Sequence, residues 1–230
     1  MKYCCNNFHA LKITFANETA RLCHAMGVDP FEVMDLVCQD TQLNISKAYL
    51  KPGFAFGGSC LPKELRATAH LAKIHDVEIP MLASVMQSNR EHLQLALDKL
   101  MATGKRRIGL IGLSFKSGTD DLRESPLVTL AEQLIGKGMQ LAVYDPAVRL
   151  SQLLGANRRY IDAHLPHIGK LLRAEIGDVI KESEVVVVGL SGPEIIKDLE
   201  RFCQPGQVVL DLVRIADGSA IRAEVQGLCW

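Results

Sequence analysis

Apolar positions recur at helical spacing over the first hundred residues. Phe8, Leu11, Phe15, Leu22 and Met26 follow the 3.6-residue repeat, and Gly27 supplies a stop. Asp29-Pro30 predicts the opening of a second helix, an acidic cap followed by a proline at the first helical position. The segment DTQLNISKAYLKPGFAFGGSC, 40–60, keeps neither a helical nor a strand period and is expected to run irregularly to Pro62. An apolar repeat resumes from Lys63 to His75, and Ser84 to about Met101 predicts a long amphipathic helix ending before Gly104. At Lys105 the texture changes. RRIGLIGLSF, MQLAVYDP, SEVVVVGL and GQVVLDLV are short β-branched runs separated by helical or loop segments. Continuous apolar strands alternating with helices predict a parallel sheet covered on both faces. The expected fold class is α/β: a helical module over 1–104, then a doubly wound, Rossmann-like domain over 105–230.

Composition narrows the function classes. With 230 residues the chain can bury a sizeable core, and 48% hydrophobic with 23% charged residues is ordinary for a globular protein. Lys+Arg and Asp+Glu balance at 26 each, so no global field draws the chain to nucleic acid or to an anionic membrane. Neither partner is expected. Seven cysteines, an odd number without a CxxC, fit a reducing compartment and neither a disulfide framework nor a metal site. Apolar runs such as Val185–Val188 are far below membrane-spanning length, and polar Asn6-Asn7 comes too early for a secretory signal. A cytoplasmic location is expected.

Two stretches carry candidate chemistry. In PGFAFGGSCLPKELRA, 52–67, Cys60 follows a Gly-Gly-Ser turn and precedes a helix. Such a cysteine can be a small core residue or a nucleophile held on a tight turn. A helix N-terminus with nearby cations favours the reactive thiolate, and Gly57-Gly58 lets backbone approach a ligand closely. The second stretch, GLIGLSFKSGTDDLRESP, 109–126, leaves the first strand of the α/β domain and leads into a helix near Pro126. A dinucleotide fold would use Asp145, at the end of the second strand, for a ribose. Gly109 and Gly112 do not make GxGxxG, however, and Asp145-Pro146 equally fits a strand-ending turn. Lys116, Asp120, Asp121 and Arg123 would lie at the carboxyl edge of the sheet, where ligands of such sheets bind. They are read as contacts for a phosphate or sugar in preference to solvated loop charges.

These two blocks and the opening KYCCNNFHALKITFANE, 2–18, resemble in that order the UDP-glucose/GDP-mannose dehydrogenase family. The resemblance extends over essentially the whole chain and is strongest to members acting on GDP-mannose, for which PGFAFGGSCLPK and a final Cys229-Trp230 are typical. Members acting on UDP-glucose more often have Phe where this chain has Leu61. Family members begin with an NAD-binding Rossmann domain, whereas these residues start at the central helix. The resemblance therefore implies the nucleotide-sugar part of an enzyme whose NAD is held mainly by a domain not among them. The implied reaction is a four-electron oxidation of a sugar C6 alcohol to a carboxylate with two NAD in succession. Alternatives from the same residues are a UDP-glucose or other UDP-sugar dehydrogenase portion, or a non-catalytic module that binds a nucleotide sugar or dimerises.

By the same resemblance Cys60 is the nucleophile, while Lys2 and Asn6, spaced i, i+4 on one helix face, stabilise oxyanions. Glu64 orients or deprotonates the hydrolytic water, standing where the family more often has Asp. Asn44, Tyr49, Lys51, Phe54, Phe56, Gly57 and Lys116 are implied substrate contacts, and Arg123 and Ser59 cofactor contacts. Lys51 stands where members acting on GDP-mannose tend to have Arg, and lacks its bidentate fork. The histidines match no catalytic position. The family pairs subunits through the central helices, so a homodimer is implied.

Overall fold

The computed structural model describes residues 1–46, 48–49, 52–115, 118–148, 168–215 and 218–229, with backbone only at 3–7, 9–10 and 168–169. Packing divides the chain into two compact units: residues 1–52 with 61–88, and residues 53–60 with 89–230.

The first unit is helical. Helix α1 (Lys2–Ala25) stops before Gly27 as the sequence predicts, and α2 (Pro30–Gln39) opens with the expected cap, the Asp29 carboxylate accepting from Phe31 N at 2.8 Å. Helix α3 (Leu61–Ile74) begins two residues earlier than the apolar repeat suggests, because Pro62 fits the first turn, where its missing N–H costs nothing. Helix α4 (Pro80–Ala102) likewise begins at Pro80 and not at Ser84. The reason lies on α1. The buried Glu18 carboxylate accepts from Met81 N at 2.8 Å and Leu82 N at 2.9 Å, supplying from another helix the cap that α4 lacks. Arg21 adds two bonds to the Glu78 carbonyl, at 3.1 and 3.0 Å.

The second unit holds a five-stranded, wholly parallel sheet of order β2-β1-β3-β4-β5: β1 (Arg107–Ile111), β2 (Gln140–Tyr144), β3 (Val185–Val188), β4 (Val208–Asp211) and β5 (Glu224–Gly227). Between them run α5 (Pro126–Gly136), α6 (Ile168–Leu171), α7 (Ile176–Glu182) and α8 (Pro193–Phe202). Both faces are covered, as the apolar runs predict. Val185 and Val187 pack with Leu97, Leu100, Leu130 and Leu134 of α4 and α5, while Val186 and Val188 pack with Ile176, Ile180 and Leu199 of α7 and α8. The change of texture at Lys105 and the change of packing do not coincide. Leu93, Ala96, Leu97 and Leu100 of α4 are buried, and α4 from Asn89 onward belongs with the sheet, as does the loop 53–60. The chain reverses its strand order between β1 and β3, which sets the place where a parallel sheet opens a crevice at its carboxyl edge.

Candidate active site

At that edge the segment 112–126 leaves β1 and is tied at its neck. Gly112 N donates to Tyr144 O at 2.7 Å. One Asp145 carboxylate oxygen, Oδ2, accepts from Leu113 N at 2.8 Å, Ser114 N at 3.0 Å and Ser114 Oγ at 2.8 Å, while Oδ1 accepts from Ala147 N at 2.9 Å. Ser125 Oγ donates to the Leu113 carbonyl and caps α5 through Leu127 N. Asp145 is 5% exposed and its oxygens face inward. It cannot hold a ribose. The strand-ending turn is the correct alternative, and the described residues of the segment after β1 build no dinucleotide cradle.

Onto this segment packs the loop 53–60. His92 Nε2 meets the Gly53 carbonyl at 2.8 Å. The Asn89 side-chain amide clamps Phe56 as a strand neighbour would, accepting from its N–H and donating to its C=O, both at 2.9 Å. At Gly57 a Cβ would overlap the Glu124 carbonyl oxygen and lie 2.6 Å from Pro126 Cδ. Gly58, at φ +88, donates to Glu124 O at 3.3 Å and presses on the Phe115 ring, where a Cβ would come to 2.9 Å. The two glycines are therefore needed for the loop to reach the α/β domain's own backbone. Glu124 itself takes φ +53, uncommon for a residue with a side chain, and turns its carbonyl toward the loop. Beyond the glycines stand Ser59, half-buried, and Cys60, exposed, with Oγ and Sγ 3.9 Å apart; Cys60 directly precedes α3.

Arg123 grips Asp121 in a bidentate pair, Nε to Oδ1 at 2.8 Å and Nη2 to Oδ2 at 2.7 Å. The arginine's side-chain bonds hold the Asp121 carboxyl below the usual carboxylate range against the opposing effect of burial. The same bonds and the charge of Asp121 raise Arg123, and Cys60 adds a smaller electrostatic contribution in the same direction. Beside the loop opens a cleft of about 300 Å³ at the carboxyl ends of β1, β3 and β4, lined by Phe54, Ala55, Phe115, Leu127, Ser191 and Val213 among others. A second cleft of about 300 Å³ shares Leu190, Ser191 and Val213 with it and carries Arg214, held at φ +58 by an Asp211 carboxylate that accepts from Val213 N and Ile215 N.

Two sequence signatures match the chain, both of the same family: the UDP-glucose/GDP-mannose dehydrogenase family, central domain, over residues 1–91, and its UDP binding domain over residues 109–218. The GDP-mannose 6-dehydrogenase of Pseudomonas aeruginosa is 48% identical over 230 residues, which are 100% of this chain and 52% of that protein. The chain belongs to the UDP-glucose/GDP-mannose dehydrogenase family. A crystal structure of a ternary complex of GDP-mannose dehydrogenase from the same organism superposes with a TM-score of 0.90 at 48% identity, covering 100% of this chain and 52% of that one. A UDP-glucose dehydrogenase from Pyrobaculum islandicum matches more distantly, at 28% identity and a TM-score of 0.65, over 100% of this chain and 50% of that one. The chain thus spans about half the length of the relatives it matches.

Within the family's two matched segments, Cys60 falls in the central-domain signature and Arg123 in the other, and packing brings residues 53–60 and the segment 112–126 into one unit. Phe54, Phe56, Gly57, Ser59, Cys60 and Arg123 are therefore gathered together. Lys2, Asn6, Asn44, Tyr49 and Glu64 belong to the helical unit. There Lys2 is exposed, Asn6 lies one turn further along α1, Asn44 Nδ2 donates to Val37 O at 3.2 Å, and Tyr49 is exposed with φ +59. Glu64 is exposed and ion-paired to Lys63 at 3.0 Å. Lys51 and Lys116 lie outside the described residues. Asn89, Phe115 and Glu124 were not anticipated. A signal existed for Asn89 alone, which stands one turn before Leu93 at the head of the buried stripe of α4. Among the described residues no helix is long and apolar enough to cross a membrane, and no His/Cys/Asp/Glu group could hold a metal ion.

Proposed function

We propose that this chain is the cysteine-bearing, nucleotide-sugar-binding part of an NAD-dependent GDP-mannose 6-dehydrogenase. The observation that carries the reading is the 48% identity to GDP-mannose 6-dehydrogenase over all 230 residues. Identity to UDP-glucose dehydrogenases is lower, between 28% and 36%. The exposed Cys60, held on a loop that two glycines fit to the sheet unit, supplies the chemistry. Its sulfur adds to the C6 aldehyde of the oxidised sugar: an S–C bond forms, the carbonyl π pair moves to oxygen, and a thiohemiacetal results. Lys2 and Asn6, one turn apart on α1, serve as donors to that oxygen, each worth on the order of 3–4 kcal/mol in such a role. Removal of hydride and a proton gives the thioester. Water oriented by Glu64 then displaces the sulfur, leaving the carboxylate and restoring the thiol. The sheet unit's described residues build no dinucleotide cradle, with Asp145 turned inward, and no part of the hydride transfer is assigned to them.

Asn44, Tyr49, Lys51, Phe54, Phe56, Gly57 and Lys116 are assigned to the nucleotide sugar, which the cleft beside Phe54 is placed to receive. Ser59 and Arg123 are assigned to the cofactor, although the Asp121 pair already occupies two edges of the Arg123 guanidinium. The helical unit is assigned a pairing role in a homodimer, in which the apolar side chains of Phe31, Leu36 and Ile13, 79%, 66% and 62% exposed, would be covered. Light scattering at micromolar concentration tests this, with a stable monomer counting against it. For the substrate, thermal shift decides. GDP-mannose raises the melting temperature by several degrees at about a hundredfold excess over Kd. A larger shift with UDP-glucose would transfer the assignment to that sugar.

A further inference from the structure

A carboxylate of the sheet unit that accepts four hydrogen bonds has no place in the chemistry above. Asp145 lies just beyond β2 and spends both oxygens on backbone and Ser114. Leu113 is thereby fixed at both of its polar backbone atoms: Asp145 takes its N–H, and Ser125 Oγ donates to its carbonyl. The two ends of the segment 113–125 are closed against each other through this one residue. Two features of that segment then meet the cysteine loop. Phe115, the residue after Ser114, lies under Gly58, and the Glu124 carbonyl, just before Ser125, accepts from Gly58 N and fills the space next to Gly57. Arg123 is carried on the same segment, two residues before Ser125. The links from Asp145 to Gly58 are hydrogen bonds, neighbouring chain bonds and a packed ring, and Cys60 is two residues further.

We propose that Asp145 is a positioning residue for Cys60, acting through the closed segment 113–125 on which the cysteine loop rests. Where a dinucleotide-binding sheet turns its strand-end carboxylate out to a ligand, this sheet turns it in to hold the platform of a nucleophile. The inference deepens the reading of Cys60 as the reacting thiol and rests on it. The carboxylate supplies geometry and not charge: its four acceptor contacts set where Phe115 and Glu124 stand.

The test uses Cys38, another exposed thiol of the chain, as an internal reference. Iodoacetamide labelling at neutral pH, followed by peptide mass spectrometry, gives the ratio of alkylation rates at Cys60 and Cys38. Asp145→Ala releases the segment, separates Cys60 from Arg123 and lowers that ratio by about fivefold or more. Ser114→Ala removes one of the three bonds to Oδ2 and lowers it by about twofold. Asp145→Asn keeps an acceptor oxygen for Leu113 and Ser114 and leaves the ratio within about twofold of the unsubstituted chain. An unchanged ratio in folded Asp145→Ala overturns the proposal. If that variant does not fold, an unchanged ratio in Ser114→Ala overturns it, and so does Asp145→Asn matching Asp145→Ala, since charge would then be the cause. Labelling needs no turnover. A negative result here leaves the chemistry of Cys60 standing, whereas uronate formation by a Cys60→Ala holoenzyme removes that chemistry and leaves the contact chain intact.

Discussion

Every residue of β3 is at most 1% exposed, whereas α2 of the helical unit buries none of its ten residues. The sheet unit carries its own core on both faces and fixes its loops with buried carboxylates and glycine contacts. The helical unit has polar ties from α1, Glu18 to the start of α4 and Arg21 to Glu78, and leaves Phe31, Leu36 and Ile13 in the open. Burial of apolar area is the main source of folding stability, so a unit without much of it gains stability from whatever covers it. The difference suggests a division of labour. The unit with a core carries the cysteine loop on its own packing, and the other leaves apolar side chains exposed.

The comparison breaks first where packing is deepest. Leu97→Ala, at a side chain 2% exposed between α4 and the sheet, costs about 2–5 kcal/mol in a urea melt. Phe31→Ala, measured at a dilution where the chain is monomeric, changes the same quantity by no more than about 0.5 kcal/mol. Comparable losses at the two positions would erase the contrast. Next in size is the tie. Glu18→Ala strands the Met81 and Leu82 amides and costs about 1–3 kcal/mol, read as faster hydrogen exchange at the start of α4 with the sheet amides unmoved. Smallest is a pH effect confined to the sheet unit. Burial pushes the Cys203 thiol up to about 11 from an ordinary 9.0, against the opposing charge of Arg222. The fold prefers the protonated thiol, so the contribution is present in full below pH 9 and is lost as pH rises toward 11. Cys203→Ala flattens the stability slope across that window. Equal slopes in both chains would show that the thiol is wetter than its burial implies.

What the sequence disclosed follows the same division. The valine run 185–188 told of a strand buried on both faces and Asp29-Pro30 of a helix start, while Gly57-Gly58 told of a close backbone approach, expected at a ligand and found at Glu124 and Phe115 of the chain itself. All are local signals. β5, spelled EVQG, pairs with β4 and has no apolar run, so nothing in its four residues announces a strand. The partners of Gly57 and Gly58 lie more than fifty residues away, and those of Asp145 at Leu113 and Ser114 about thirty, so only the folded chain shows that the loop 53–60 packs on the segment after β1. Asp145 is the instructive case. The sequence offered a ribose ligand or a turn, and the choice depended on where Leu113 and Ser114 point their N–H groups. The starts of α3 and α4 were missed by a few residues because a proline in the first turn and a cap donated from α1 leave no mark on an apolar repeat.

One measurement bears most directly on Cys60 as the covalent centre: uronate and NADH yields from GDP-mannose in the NAD-bearing holoenzyme, with and without Cys60→Ala. The account predicts two NADH and one uronate per sugar when Cys60 is present, and no uronate in the variant, since no thioester can form. Full uronate with two NADH per sugar from Cys60→Ala would contradict it.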